Sequence, residues 1–407
     1  MPENNENFDI FCELARIPSP SRGEDGVTNE ILTILKSLGI DGYKDEIGNV
    51  IGRIPATDET KQSLLLSAHT DVVGNANPVN IEVRGGFVMT DGTRTLGADD
   101  KAGVTAAIAC AKRVSEDKNL KHGGLELVFT IDEEQNMTGI KNLDFSRLNS
   151  KYVIVADSDK LGDMMISGAG YKKLTLTVTS AKSGHSGVDI GDETKVNAAY
   201  LLFKIGAQIP QGVFKADETG TLTSINLGVA AGGGLERAFD GISAGEVENG
   251  KYFEYVAENA VTNVINKNAT AVYSLRSSDS KSEAELIGLI KGLVDKYNEE
   301  YKNRAKFELK IEEHMPAFQK STDTRIPDAA REAAKALNIP FSAASFHAGA
   351  ETHIYANNTN SVGERFLPYL AGVADIYNMH SPDEKMDIAS FLNGCEFLYK
   401  IFLNFNK

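Results

Sequence analysis

The segment SLLLSAHTD (63–71) is a short, almost wholly apolar run that ends in polar residues, and it decides the fold class. Two later segments repeat the pattern, GGLELVFTIDEE (123–134) and YVIVADSD (152–159). Near-continuous apolar runs of this length are typical of strands buried on both faces of a sheet. An alanine-rich stretch with apolar residues at helical spacing, Lys101 to Val114, separates the first two. The alternation predicts an α/β domain with helices on both faces of its sheet.

Histidine and carboxylate side chains stand at the ends of these three segments. His69 and Asp71 are two residues apart, so they share one face of an extended chain. The second segment ends in Asp132, Glu133 and Glu134, and the third ends in Asp157 and Asp159. Ligands of open α/β sheets collect beyond the carboxyl ends of the strands. We therefore expect these side chains to converge.

Two further segments add ligands of the same chemistry. LGADDKAG (96–103) places Asp99 just before a helix, and NMHSPDE (378–384) places His380 just before the final helix. Histidines and carboxylates without cysteine suit zinc or a similar first-row divalent ion, and there are enough carboxylates for two ions sharing one ligand. Any one of the motifs HxD, DD or EE is common in proteins that bind no metal at that position. All of them together, in an alternating strand order, favour a metal site.

The middle of the chain has a different pattern, which predicts a second domain. The order is β-α-β-β-α-β, typical of a small ferredoxin-like fold. The segments are KKLTLTVTS (172–180), VNAAYLLFKIGAQI (196–209), TSINLGVAA (223–231), VTNVINKNATAVYSLRS (261–277), KSEAELIGLIKGLVDKYNEEY (281–301) and KFELKIEEH (306–314). We expect one α/β domain, residues 1–169 and 318–407, interrupted by an inserted α+β domain, residues 170–317.

Composition narrows the classes of function. The 407 residues include 42 Lys and Arg against 57 Asp and Glu, a net charge of −15, which argues against nucleic acid or an anionic membrane as partner. No apolar run approaches the roughly 18 residues of a membrane span. The first ten residues, MPENNENFDI, lack the features of a secretory signal. Cys12, Cys110 and Cys395 lie far apart in apolar stretches, so we expect reduced thiols and a cytoplasmic protein.

The ordered motifs resemble those of the di-zinc exopeptidase family, which includes peptidase T, the cytosolic nonspecific dipeptidases, carboxypeptidase G and the aminoacylases. The resemblance rests on SAHTD (67–71), LGADDKAG (96–103), TIDEEQNMTG (130–139), VADSD (155–159) and HSPDE (380–384), and it covers nearly the whole chain. It implies a zinc-exopeptidase catalytic domain with a mixed sheet, interrupted by a ferredoxin-like lid domain. It also implies a cis peptide bond between Asp99 and Asp100.

The resemblance implies two Zn²⁺ per subunit, with Co²⁺ or Mn²⁺ as alternatives, and a role for each motif residue. Asp99 would bridge the two ions, Asp71 would orient a ligand, and Glu133 would be the general base. The implied metal ligands are His69, Asp99, Glu134, Asp157 and His380. A carboxylate that binds no metal suits proton transfer from water to the leaving amine.

In the inserted domain the resemblance implies three substrate-binding residues. His185, in AKSGHSGVDI (181–190), would help to hold the substrate carbonyl. Asn263 and Arg276 would also contact the substrate, and Arg276 would pair with the carboxylate of the substrate. Alternatively, His185 caps a turn and Arg276 forms a structural ion pair. In dimeric relatives this histidine comes from the partner subunit, so a homodimer through the lid domain is a further implication.

The motifs do not agree on one branch of the family. LGADDKAG is the peptidase T form, whereas FHAGAETHIY (346–355) is closer to the loop of the nonspecific dipeptidases, and Glu351 and His353 within it receive no role. We expect a metallo-exopeptidase that acts on short peptides, such as a tripeptide aminopeptidase. The alternatives are a nonspecific dipeptidase or an N-acyl-amino-acid amidohydrolase. A non-catalytic binding protein would have lost a ligand or the base, yet all seven positions carry competent residues.

Overall fold

A computed structural model of the chain describes residues 5–218, 220–233 and 252–407. The chain forms two compact units, each with its own apolar core. The first unit comprises Met1–Gly168 and Phe318–Lys407, and the second unit comprises Ala169–Ala317.

Both units contain strands and helices. The strands are β1 (Asp41–Lys44), β2 (Val50–Ile54), β3 (Leu64–His69), β4 (Ile81–Arg84), β5 (Phe87–Thr90), β6 (Leu125–Thr130), β7 (Tyr152–Ser158), β8 (Asp163–Gly168), β9 (Gly170–Ser180), β10 (Gly184–His185), β11 (Gly212–Ala216), β12 (Leu222–Gly232), β13 (Val264–Ile265), β14 (Asn268–Ser277), β15 (Ala305–Met315), β16 (Ser342–Phe346), β17 (Leu367–Gly372), β18 (Ile376–Tyr377) and β19 (Lys385–Asp387). The helices are α1 (Glu6–Arg16), α2 (Asp25–Ser37), α3 (Ala98–Glu116), α4 (Glu133–Asn136), α5 (Thr138–Lys141), α6 (Ala198–Gly206), α7 (Tyr252–Asn259), α8 (Ser280–Glu300), α9 (Arg325–Leu337), α10 (Thr352–Ala356) and α11 (Ile388–Phe405).

The first unit is built on an eight-stranded mixed sheet in the order β1-β2-β6-β3-β7-β17-β8-β16. Its four central strands, β6, β3, β7 and β17, are parallel to one another, and β2 and β8 flank them in antiparallel pairing. Parallel neighbours bring their carboxyl ends to the same edge of the sheet. The polar residues that follow β3, β6 and β7 are therefore delivered to one place.

Both faces of the central sheet are buried, as the apolar segments predict. Along β3, Leu64, Leu66 and Ala68 belong to one apolar cluster, whereas Leu65 belongs to another on the opposite face. The first cluster includes residues of α1, α3, α9 and α11, and the second includes residues of α5 and α10. The mixed sheet with helices on both faces is the predicted fold class of the first unit.

The second unit has the predicted ferredoxin-like order around a five-stranded antiparallel sheet. The strands run β11-β12-β14-β9-β15, with β11 as an addition at one edge, and α6 and α8 cover the apolar face. Alternate residues of β9, Leu174, Leu176 and Val178, are buried in that core. No described helix in the chain is long and apolar enough to cross a membrane.

Two local features differ from the sequence prediction. The segment 261–277, expected as one strand, is divided into β13 and β14, because β13 pairs with β10 while β14 pairs with β9 and β12. The first unit also carries a small four-stranded sheet, β18-β19-β5-β4, that the sequence pattern did not predict. Its strands are two to four residues long, too short to show a periodic pattern.

Candidate metal centre and active site

The carboxyl ends of three central strands supply the core of the site. His69 ends β3 and pairs in register with Thr130, which ends β6 two residues before Asp132. Asp157 lies near the end of β7, and its Oδ1 is 3.7 Å from His69 Nε2. The predicted convergence of these strand ends is therefore present in the structure.

Asp99 lies between the two histidines and turns one oxygen towards each. Its Oδ1 is 3.2 Å from His69 Nε2, and its Oδ2 is 3.0 Å from His380 Nε2. The same His380 nitrogen is 3.1 Å from Glu134 Oε1. The side chains thus form two groups that share Asp99: His69 and Asp157 on one side, His380 and Glu134 on the other.

This donor set fits two divalent cations. His69, Asp99 and Glu134 place one potential ligand atom each within 4.8 Å of one another, and so do His69, Asp100 and Asp157. Glu134 Oε1 is buried and, although His380 Nε2 lies 3.1 Å away, it makes no hydrogen bond among the described residues. An acceptor oxygen that is buried among other acceptors is best satisfied by a cation.

The electrostatics of the cluster lead to the same conclusion. Burial raises the pKa of Asp157 well above its usual value, with Asp100 and Asp99 adding to the rise. Burial likewise raises the pKa of Glu134 to about 7, and it raises the pKa of Glu133, with Glu351 among the neighbouring carboxylates that contribute. So many carboxylates together are costly without compensating positive charge. Divalent ions would supply that charge.

Asp71 is fully buried and holds both His69 and the Glu133–Glu134 pair. Its Oδ1 lies 3.4 Å from His69 Nδ1 and accepts the Glu133 backbone N–H at 2.9 Å. Its Oδ2 accepts the Glu134 N–H at 3.2 Å and the Ser21 hydroxyl at 2.7 Å. Burial opposes ionisation, but these hydrogen bonds and His69 lower the pKa of Asp71 to about 2. His69 Nδ1 is also 3.1 Å from the Asp71 backbone carbonyl oxygen, so Asp71 orients the imidazole through both its carbonyl and its carboxylate and leaves Nε2 facing the cluster.

The segment that carries Asp99 has a special backbone. Asp99 and Asp100 open α3 with non-helical angles, and the peptide bond between them is cis, as the resemblance implies. Asp100 also accepts backbone hydrogen bonds, from the N–H groups of Gly103 at 3.0 Å and His69 at 3.3 Å.

Glu384, quoted in a motif but given no role, connects two parts of the site. It is fully buried, and its oxygens accept N–H groups of Gly97 at 2.8 Å and Asp99 at 3.2 Å, together with the Thr95 hydroxyl. It thereby holds the segment before α3 against the loop that carries His380. Its position four residues after His380 was the only sequence signal for this role.

His185 and Asn263 lie together in the second unit, at the small sheet of β10 and β13. His185 is exposed, it pairs with Val264, and the Asn263 carbonyl accepts the Ser186 N–H at 3.0 Å. His185 Nδ1 accepts the backbone N–H groups of Gly187 and Val188 at 3.1 and 3.3 Å. His185 Nδ1 is thus occupied within its own turn, and in a neutral imidazole whose Nδ1 accepts, Nε2 is the donor nitrogen.

Arg276 occupies a separate position on β14 of the second unit. Its guanidinium lies over the Tyr171 ring, with 5.1 Å between Cζ and the ring centroid. It is half-buried and pairs in register with Tyr171 of β9 and Ser224 of β12. A planar guanidinium on an aromatic face is held in a defined orientation.

Glu351 and His353 are buried beneath the sheet rather than exposed in a pocket. Glu351 Oε2 accepts the Ser67 hydroxyl at 3.3 Å, and the Tyr355 hydroxyl donates to Ser67 at 3.1 Å. Burial raises the pKa of Glu351 to about 7. The His353 ring packs edge-on against Phe346 and Phe318. The segment FHAGAETHIY thus packs under β3.

The comparisons with known proteins agree with the motifs. The model of the family described as Peptidase family M20/M25/M40 matches residues 65–404. An uncharacterised protein of Bacillus subtilis, YqjE, is 25% identical over 400 residues, 96% of each chain. The cytosol non-specific dipeptidase of Escherichia coli is 30% identical over 228 residues, and the match covers 48% of this chain and 46% of that protein. The chain thus spans about half the length of that dipeptidase.

A solved structure has the same fold. The aminopeptidase PepT from Bacillus cereus superimposes with a TM-score of 0.78 over 98% of both chains, at 22% sequence identity. The likeness therefore extends over both units.

Proposed function

Because the chain belongs to peptidase family M20/M25/M40 and is therefore a metallopeptidase, we propose that it is a di-zinc exopeptidase that removes the N-terminal residue from short peptides. The observation that carries the proposal is the position of Asp99, with one oxygen towards His69 and the other towards His380. A carboxylate in that position can serve two ions at once.

Each ion would have its own ligands besides Asp99. His69 and Asp157 would hold one, and His380 and Glu134 the other; these distances support the assignment. Bound divalent ions would lower the pKa of a water molecule and polarise the scissile carbonyl. Zinc suits this mixture of imidazole and carboxylate, and Co²⁺ or Mn²⁺ could replace it.

Glu133 would be the general base and Asp71 a positioning residue. The Glu133 backbone is held by Asp71, and its carboxyl is buried among acidic groups that raise its pKa. A carboxyl with a raised pKa can accept a proton from the attacking water and return it to the leaving amine. Asp71 would keep the His69 ring in the orientation that presents Nε2.

The substrate would be held by three residues of the second unit. His185 would donate from Nε2 to the substrate carbonyl, and Asn263 lies beside it across the β10–β13 pair. Arg276, oriented by Tyr171, would pair with the substrate carboxylate. Recognition of a free carboxylate would restrict the enzyme to short peptides.

Tripeptides are the proposed substrates, supported by the LGADDKAG motif and the fold shared with PepT. Dipeptides are the second candidate, because the chain is similar to the non-specific dipeptidase and carries the FHAGAE loop. An N-acyl-amino-acid amidohydrolase would use the same ligands.

A peptide panel tests the proposal. The metal-stripped protein would be reloaded with Zn²⁺, Co²⁺ or Mn²⁺. It would then be given Ala-Ala, Ala-Ala-Ala and Ala-Ala-Ala-Ala, each with free termini, with N-acetyl-Ala-Ala-Ala as the matched control. We expect alanine release from the tripeptide with the free amine, and none after treatment with a chelator. Faster cleavage of the dipeptide would make it a dipeptidase, and cleavage of the N-acetyl bond would make it a deacylase. Full activity without any metal would contradict the proposal.

We also propose that the protein forms a homodimer through the second unit, and that it is cytoplasmic. Tyr200 and Phe203, on one face of α6, are each 66% exposed, and β11 is an edge strand with Val213 62% exposed. Apolar patches beside a sheet edge are typical of interfaces. Sedimentation equilibrium should show a dimer for the wild type and a monomer for Phe203→Ser.

The proposed cytoplasmic location is supported by three buried cysteines that form no disulfide, and cell fractionation would test it.

A further inference from the structure

The segment that carries Glu133 and Glu134 is held by two buried carboxylates at three consecutive backbone N–H groups. Glu24 Oε1 accepts the Asp132 N–H at 3.0 Å, and the two oxygens of Asp71 accept those of Glu133 and Glu134. Asp132 has a left-handed backbone (φ 53°), an uncommon conformation for a residue other than glycine. The direction of the two glutamates therefore depends on acceptors outside their own segment.

Glu24 comes from the loop between α1 and α2, to which no role was assigned. Glu24 is only 4% exposed, and the same oxygen accepts the Arg22 N–H at 2.9 Å, which closes the loop on itself. Ser21, in the same loop, donates to Asp71 Oδ2 at 2.7 Å. The loop thus supplies one of the two carboxylates that hold the segment 132–134 and contacts the other.

The loop is itself anchored to the strand end that carries His69. Ser19 Oγ donates to the Thr70 carbonyl at 2.9 Å, and the Ser19 carbonyl accepts the Val72 N–H at 2.9 Å. The buried Lys101 ammonium donates to Ser19 Oγ at 2.8 Å and to the Thr70 carbonyl at 3.2 Å. These contacts leave the loop little freedom to move relative to Asp71.

We propose that Glu24, supported by Ser21, is a positioning residue that sets where the Glu133 and Glu134 carboxylates stand. The inference rests on the proposed function and extends it to residues that contact neither metal nor substrate. A shift of the Asp132 amide would move both glutamates, one needed as a base and the other as a ligand. Groups that hold metal ligands in place are commonly worth about 10- to 100-fold in metal affinity or activity.

Three variants and one control separate positioning from general stability. Glu24→Ala removes the acceptor, Glu24→Gln keeps an oxygen there, and Ser21→Ala removes the support on Asp71. The control is Asp25→Ala, since Asp25 is the neighbouring carboxylate, fully exposed apart from its pair with Lys44. We expect Glu24→Ala to lower kcat about 10- to 100-fold with little change in KM, and Ser21→Ala about 10-fold. Glu24→Gln should stay within about 3-fold of the wild type.

Two readouts do not depend on turnover. Titration of the metal-stripped protein with Zn²⁺ should show one of two sites weakened in Glu24→Ala, and amide hydrogen exchange should be faster over residues 130–137. The proposal is wrong if Glu24→Ala matches Asp25→Ala in kcat, in zinc affinity and in hydrogen exchange. It is also wrong if Glu24→Gln is as impaired as Glu24→Ala. A lower melting temperature with unchanged kcat and zinc affinity would also overturn it. If the wild type cleaves no peptide, the proposed function fails, whereas hydrogen exchange still decides the role of Glu24.

Discussion

Glu133 and Glu134 are adjacent, and the proposed function gives them two different roles. Both backbone N–H groups donate to Asp71, but Glu134 Oε1 lies 3.1 Å from His380 Nε2, whereas the Glu133 carboxyl is buried near Glu351, and both the burial and Glu351 raise its pKa. Both residue types are the same, so the division of roles comes from position alone. Substitution by glutamine preserves size and removes the charge, which makes the two residues directly comparable.

Glu133→Gln should lose rate and keep its metals. The amide cannot accept a proton, so we expect kcat to fall about 10²- to 10⁴-fold, with KM and metal content close to the wild type. Steady-state kinetics with metal analysis by mass spectrometry would measure both. The control is Glu59→Gln at an exposed carboxylate. Loss of metal together with rate would show that Glu133 is a ligand instead.

Glu134→Gln should lose metal first. Removing a charged ligand weakens one of two sites, so we expect metal content to fall from two towards one per chain, with partial recovery of activity in excess zinc. Equilibrium dialysis against graded zinc would follow the change. Two tightly bound ions in this variant, with activity that excess zinc does not alter, would contradict the assignment.

At the scale of elements, helices approach the central sheet so closely that glycine is required at the contact. A Cβ added at Gly394 of α11 would lie 1.6 Å from the Val373 carbonyl oxygen, which follows β17. Gly288 of α8 also sits in a helix, but a Cβ there would meet no atom within 4 Å. Close packing thus requires glycine at position 394, whereas nothing around position 288 prevents a larger residue.

Alanine at these two glycines should change stability in opposite directions. Gly394→Ala should lower the free energy of unfolding by about 3 kcal/mol or more, because backbone must move to admit the methyl group. Gly288→Ala should raise it by about 0.4–1 kcal/mol, because alanine restricts the unfolded chain and favours helix. Calorimetric melting temperatures would show both shifts. A stabilising Gly394→Ala would mean that α11 does not contact Val373 as closely as described.

At the scale of the whole molecule, the second unit begins and ends at neighbouring residues of the first. Gly168 and Phe318 exchange backbone hydrogen bonds of 2.8 and 3.0 Å in an isolated antiparallel bridge. Of the residues from 169–317 that the structure describes, none belongs to the apolar clusters of the first unit, and the second unit has its own cluster. The chain thus leaves the first unit and returns at one point.

Replacing Ala169–Ala317 by an Asn-Gly turn should leave the first unit folded. A two-residue turn closes an antiparallel pair, and the proposed metal ligands all lie in the first unit. We expect the shortened protein to melt cooperatively and to bind as much zinc as the full chain, but to lose about 100-fold or more in kcat/KM, because His185, Asn263 and Arg276 are removed. Undiminished peptidase activity would exclude these three residues from substrate binding. A shortened chain that does not fold would contradict the independence of its core.

The sequence by itself was enough for the fold class, the family and the set of residues to consider. Apolar runs such as SLLLSAH predict buried strands because their burial pattern depends only on local side chains, and histidines and carboxylates at their ends are chemically recognisable. Tertiary structure alone decided which side chains meet. Asp99 turns one oxygen to His69 and the other to His380 because folding brings together segments some 280 residues apart in the chain. The sequence could not assign roles to Glu24 and Glu384, because a carboxylate that accepts backbone N–H groups looks in sequence like any surface acid. Their roles exist only where burial and the distant N–H donors are brought together by folding.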